Sequence, residues 1–97
     1  MGYRINYSKV VAQANFIADC AKELSARSGQ LNAMEQNIRS AWKGQASDAF
    51  ISRVLTLRGE VDRTSRQMAD LASTIKTSAD KIQREDEEAQ RRAAALK

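Results

Sequence analysis

The chain has 97 residues with one cysteine, no histidine and no proline, and its formal net charge is +4, from sixteen basic and twelve acidic residues. These counts exclude an intrachain disulfide and a closed structural zinc site. The length allows a single domain, residues 1–97, whose own core is small, so we expect self-association to stabilise it. Four glycines and abundant Ala, Gln, Arg, Lys, Glu and Leu favour helices over strands.

The N-terminal stretch carries charged or amide residues at short intervals and lacks an apolar core, so we expect no cleavable signal peptide. Asn6 stands where N-myristoylation requires Ser or Thr. The sequence also has no stretch apolar and long enough to cross a membrane. Any export would therefore depend on a different signal.

Apolar residues recur in alternating steps of four and three through the first half of the chain, which predicts an amphipathic helix over residues of about 8–42. The predicted seam is Val10, Ala14, Ile17, Ala21, Leu24, Ser28, Leu31, Glu35, Ile38 and Trp42. Cys20 lies beside this seam. We expect it to be partly buried and unreactive, because the chain has no histidine to activate it.

A turn is predicted at residues 43–47, where Gly44 can adopt a positive φ without a steric penalty. Ser47 or Asp48 is then expected to cap a second helix over residues of about 48–90. Such a short connection predicts an antiparallel hairpin. In that register Glu35 falls where Arg53 or Arg58 can reach it.

The second helix has a seam of the same spacing. It consists of Phe50, Val54, Leu57, Val61, Thr64, Met68, Leu71, Ile75, Ser78 and Ile82. Further apolar side chains flank both seams, so each stripe is wider than one partner helix can cover. We therefore expect two hairpins to dimerise into a four-helix bundle. Beyond Ile82 the seam fails, and the C-terminal tail is expected to fray.

Trp42, Gly44, Ala46 and Phe50 spell W-x-G-x-A-x-x-x-F between the two predicted helices, in a chain of about one hundred residues. This arrangement resembles the WXG-100 family, the early-secreted-antigen-like substrates of type VII secretion systems. The resemblance implies a helix-turn-helix hairpin that forms homodimers or heterodimers with a similar protein. It also implies virulence-associated export by a membrane ATPase, from the cytoplasm to the cell surface or medium, without a signal peptide.

The family also has a C-terminal export pattern, hydrophobic-x-x-x-acidic-x-x-hydrophobic-x-x-x-hydrophobic, often with tyrosine first. Ile82, Asp86, Ala89 and Ala93 match its looser form, with isoleucine in the place of tyrosine. Because the resemblance implies that one member of a dimer can carry the signal for both, two interpretations stay open. This chain carries its own signal, or it is the silent partner.

The remaining features point to a non-enzyme. The chain has no histidine base, nucleophile elbow or phosphate-binding glycine loop, so we expect no catalytic site, cofactor, metal or small-molecule substrate. The basic residues of the second helix lack interleaved aromatic side chains, which argues against nucleic-acid binding. Two alternatives to an exported substrate remain: a cytoplasmic adaptor for a larger secreted toxin, and a basic nucleic-acid-binding bundle.

Overall fold

The structure, a computed structural model, describes residues 6–96 and consists of two long helices, α1 (Tyr7–Ala41) and α2 (Gln45–Ala95). The described residues contain no strand, and the predicted all-α hairpin is confirmed. Residues 1–5, on which the signal-peptide and acylation predictions partly depend, and residue 97 lie outside this range. Within it, neither helix has a segment long and apolar enough to cross a membrane.

The helices run antiparallel, as two side-chain hydrogen bonds between them show. The Ser65 hydroxyl donates to the carbonyl of Ala21 over 2.7 Å, and the Arg58 guanidinium donates to Oδ1 of Asn32 over 2.7 Å. Later residues of α2 thus meet earlier residues of α1. This is the register that a turn near Gly44 predicts.

The buried row of α1 is the predicted seam. Its small members and Glu35 are buried, and the larger apolar members between them are half-buried, except for the exposed Trp42 at the helix end. The buried positions are Ala14, Ala21, Ser28 and Glu35. Cys20 is half-buried, as predicted. Small side chains thus occupy most of the buried positions, and the large apolar ones are left partly open to solvent.

The predicted seam of α2 is only half right. Val54 is buried and Val61, Met68 and Ile75 are half-buried, but the alternating positions lie outside the helix interface. The exposed members of the predicted seam are Phe50, Leu57, Thr64, Leu71, Ser78 and Ile82. The positions buried instead are Ser47, Ile51, Ser65, Ala72 and Ala79. The apolar stripe of α2 is wide, and small side chains rather than large ones match the closely packed face of α1.

Glu35 is buried, with 8 % of its surface exposed, yet neither Arg53 nor Arg58 pairs with it. Nε of Arg39, one turn further along α1, lies 2.7 Å from Oε1 of Glu35. The predicted cross-helix pair is therefore wrong. Arg58 is engaged by Asn32 instead, and a partner four residues away on the same helix reaches the carboxylate without crossing the interface.

The two long sides of the hairpin differ in character. One side holds a groove of about 400 Å³, which we call the small-residue groove. Its walls include Ala18, Ala21, Ser25, Ser65, Ala69 and Ala72, together with Lys22 and Lys76. The other side carries the large apolar residues, and we call it the apolar face. It comprises Val10, Ile17, Leu24, Leu31, Met34, Ile38, Phe50, Leu57, Val61, Met68, Leu71 and Ile75.

Helix geometry shows which residues lie on which side of the hairpin. On both helices, groove residues follow a buried position by four, as Ala69 follows Ser65. Half-buried apolar residues precede a buried position by four, as Ile17 precedes Ala21 and Met68 precedes Ala72. Moving four residues along a helix rotates the side-chain direction slightly past a full turn, and always in the same sense. In an antiparallel pair, the same step therefore leads to the same side on both helices.

α2 is longer than α1 and projects past it. The Tyr7 hydroxyl, at the first turn of α1, donates a hydrogen bond to Oδ1 of Asp80. Helix α2 continues to Ala95, and the longest dimension of the molecule is 81 Å against widths of 15 and 13 Å. We call residues 82–95 the C-terminal arm, which at 1.5 Å per residue extends for about 20 Å.

Candidate functional site

The turn between the helices is set by two non-helical backbone conformations, at Trp42 and Gly44. α1 ends at Ala41, and Trp42 is extended, with φ −139° and ψ 123°. Gly44 then has φ 125° and ψ 179°, a region that side-chain-bearing residues rarely adopt. The chain thus leaves α1, reverses direction and enters α2 within three residues, 42–44. The positive φ predicted for Gly44 is confirmed.

The predicted cap of α2 is wrong. Gly44 itself is the N-cap residue, without a side-chain cap bond, and the helix begins at Gln45, before Ser47 and Asp48. The Ser47 hydroxyl points back across the turn and donates to the carbonyl of Trp42 over 2.9 Å. Ser47 is buried, with 2 % of its surface exposed. It therefore ties the end of α1 to the start of α2.

The two aromatic residues of the motif contact each other. The ring centroids of Trp42 and Phe50 lie 6.2 Å apart, with the ring planes tilted by 52°, an arrangement typical of attractive aromatic pairs. Each residue is 46 % exposed, so the pair closes the hairpin end only in part. Ala46 is exposed beside them. The motif therefore presents an accessible apolar surface at the tip.

Charged side chains lie beside this tip. A shallow depression beside the aromatic pair is lined by Arg39 and Lys43 as well as by Trp42, Ser47 and Asp48. Asp48 lies in the first turn of α2, where the helix dipole favours a carboxylate. The tip thus combines exposed aromatic rings with charges of both signs.

The C-terminal pattern lies on the arm, away from the tip. Ile82 is 40 % exposed, Asp86 is half-buried, and Ala89 and Ala93 are exposed. All four lie within α2, on one face of the helix by their spacing. Because α2 is continuous and the molecule is 81 Å long, the structure keeps this group apart from the motif residues at the turn.

The sequence prediction missed two features of the structure. The Ser47 bond to Trp42 has no sequence signature beyond a hydroxyl five residues after the tryptophan. Leu57 and Leu71 are 48 % and 51 % exposed. The sequence contained a sign of this, because both residues follow Phe50 in steps of seven and so share its side of the helix. The prediction placed them in the hairpin core instead of on its outer side.

Two long antiparallel helices joined by a three-residue W-x-G connection define a helical-hairpin protein of the W-x-G type. A family model described as "WXG100: Proteins of 100 residues with WXG" matches residues 2–87. The chain therefore belongs to the WXG100 family. No curated protein and no solved structure matches it.

Family membership indicates a functional class. WXG100 proteins are small secreted helical proteins that are not known as enzymes, and they are typically dimeric with similar partners. Membership is consistent with a type VII secretion substrate. The match ends at Glu87, so it includes Ile82 and Asp86 but not Ala89 and Ala93. The arm pattern therefore depends on separate arguments.

Proposed function

We propose that this chain is a type VII secretion substrate that pairs through its apolar face with a second helical hairpin and presents its C-terminal arm to the membrane ATPase. The match to the WXG100 family over residues 2–87 is the observation that carries this proposal. The shape of the hairpin supports the pairing, and the exposure of the arm supports its role in recognition.

The core of the single hairpin is thin. Among the described residues, the buried apolar side chains are Ala14, Ala21, Ile51, Val54, Ala72 and Ala79. Four of these six are alanines, each of which contributes little burial. Larger side chains such as Leu57, Leu71 and Phe50 are about half exposed. The hydrophobic area that would stabilise a larger core is thus present but lies on the outside.

The surface area leads to the same conclusion. A compact monomer of 10.8 kDa exposes roughly 5,500 Å² by the usual scaling, whereas this chain exposes 7649 Å². A specific interface removes about 800 Å² from each partner. The paired region of the hairpin is about 50 Å long and 15 Å wide, which gives one face of roughly this area. The apolar face therefore has the size that a second hairpin requires.

The arm suits recognition better than folding. It lies beyond the first turn of α1, and most of its residues are exposed. Such a helix is maintained by propensity and by pairs such as Glu88–Arg92, whose charged atoms lie 3.7 Å apart. Ile82, Asp86, Ala89 and Ala93 give one of its faces a defined pattern. A helix with one patterned face is suited to bind in a groove of a partner.

Export tests this proposal directly. Removing residues 83–97, or Asp86→Ala alone, should leave the melting temperature and dimerisation nearly unchanged and abolish secretion in a host with a type VII system. Glu85→Ala is a matched control, since it removes a neighbouring carboxylate on another face of the arm. The measurements are thermal melts of purified proteins and their amounts in the culture medium.

Secretion of the truncated chain at the normal level, without any partner, would contradict the assignment of the signal to the arm. Secretion that occurs only when a similar hairpin protein is co-expressed would identify this chain as the silent member of a heterodimer. Retention in the cytoplasm in complex with a larger secreted protein would favour the adaptor function instead.

A further inference from the structure

We propose that the small-residue groove binds the C-terminal arm of another copy of this chain, so that paired hairpins associate into larger assemblies. The groove and the apolar face lie on opposite sides of the hairpin. A second hairpin on the apolar face therefore leaves the groove open. This inference concerns self-association and does not depend on export.

The size of the groove determines what kind of helix can bind in it: one with small side chains on the face that enters. Its walls are alanine and serine side chains from both helices, and its volume of about 400 Å³ opens along the surface. From Ser65 to Lys76 it extends over twelve positions of α2, or roughly 17 Å. A helix can approach this floor closely only through side chains as small as those that line it.

The arm has such a face. Ala89, Ala93 and Ala94 follow at intervals of four and one positions, which places them together on one side of α2. All three are exposed. From Glu85 to Ala94 the arm is about 15 Å long, which matches the length of the groove.

The charges of the two surfaces are complementary. The charged residues that line the groove, among those the structure describes, are Lys22 and Lys76. Residues 85–88 of the arm are four consecutive carboxylates, and its basic residues, Arg84, Arg91 and Arg92, lie on either side of this run. Opposite charges steer association and fix the register of a weak interface. They favour the carboxylate run of the arm, residues 85–88, over the arginine-rich residues 53–66 of α2 as the segment that meets the two lysines.

The arm cannot occupy the groove of its own chain. Helix α2 is unbroken from Gln45 to Ala95 and contains both the arm and one wall of the groove. It has no proline, and its last glycine, Gly59, precedes the groove. A fold-back would require a break in the helix. The occupant is therefore an arm from another molecule, and such a head-to-tail contact can continue from one molecule to the next.

Sedimentation velocity of the full chain at low ionic strength, over a wide range of concentration, tests this inference. We expect species larger than a dimer that grow with concentration and weaken when salt is added. Lys22→Glu with Lys76→Glu should weaken this association by about tenfold or more, and Glu85→Lys with Glu87→Lys should do the same. Mixing the two double variants should restore it, because the charges are then complementary again.

Arg63→Glu with Lys81→Glu is the matched control. It makes the same change in net charge on the outer side of α2, where both side chains are exposed, and should leave the association unchanged. Circular dichroism verifies that every variant is helical. The absence of any species above a dimer, an equal loss in the control, or no recovery on mixing would each overturn the inference. None of these measurements depends on secretion.

Discussion

Gly44 fixes the hairpin turn through its backbone dihedral and not through a lack of space. A Cβ atom built at this position meets no atom within 4 Å, but the φ of 125° strains any residue with a side chain. Gly44→Ala should therefore destabilise the protein by about 1–3 kcal/mol. Urea denaturation measures this loss. An unchanged free energy of unfolding would mean that the turn can adopt another conformation at little cost.

Tyr7 gives the junction between α1 and the arm a dependence on pH. The hydrogen bond to Asp80, with smaller contributions from desolvation and from the Asp80 charge, raises the pKa of Tyr7 above its ordinary value of 10.0. Because the folded pKa is the higher one, this contact stabilises the fold below about pH 10 and is lost as the pH rises through the folded pKa.

Ultraviolet titration of the phenolate absorbance tests this assignment. The chain has one other tyrosine, Tyr3, so the titration uses a Tyr3→Phe background in which Tyr7 is the one phenol, and its pKa should lie above the ordinary value of 10.0. Asp80→Asn should return the pKa of Tyr7 towards its ordinary value, since it removes the carboxylate. A Tyr7 transition at the ordinary value, unchanged by Asp80→Asn, would show that the hydrogen bond does not persist in solution.

The helices contain two glycines that their packing does not require. Gly29 in α1 and Gly59 in α2 are exposed, and a Cβ at either position meets no atom within 4 Å. Gly29→Ala and Gly59→Ala should each stabilise the protein by about 1 kcal/mol, the usual difference inside an exposed helix. Thermal or urea unfolding measures this gain. A loss of stability at either position would indicate that a partner molecule approaches the backbone there.

The outcome of the sequence prediction differs between the two helices for a physical reason. In α1 the buried positions coincide with the predicted seam. Ala14 and Ala21, for example, occupy the positions that the spacing predicts. In α2 the choice between Leu71 and its neighbour Ala72 depends on how close the helices come. Periodicity favours the larger side chain, whereas the packing buries the smaller one. The dimension that decides, the interhelical distance, is a property of both helices together.

The turn shows the same limit of sequence prediction over fewer residues. The positions of Trp42, Gly44 and Phe50 predict the connection and its positive φ. The capping prediction failed because Gly44 starts α2 early, so that Ser47 lies inside the helix and donates to Trp42 instead. Side-chain capping rules describe a helix start only when its position is known.

The whole molecule is a rod, and its exposed surface is the clearest sign that it acts in association. The radius of gyration is 22.4 Å, whereas a compact domain of this length has about 12.5 Å. Large apolar side chains occupy one long side, small ones occupy the other, and the arm extends past both. Pairing through the apolar face is the central claim, because the proposed export function and the proposed assembly both build on a paired hairpin.

Light scattering coupled to size-exclusion chromatography tests that claim most directly. At micromolar concentration the purified protein should have twice the chain mass of 10.8 kDa. Leu57→Lys with Leu71→Lys on the apolar face should shift it to the monomer, whereas Leu55→Lys, at a leucine of similar exposure on the other side of α2, should leave the dimer intact. A folded monomer that also fails to pair with a co-expressed similar hairpin, or a dimer that survives the double substitution, would contradict the account.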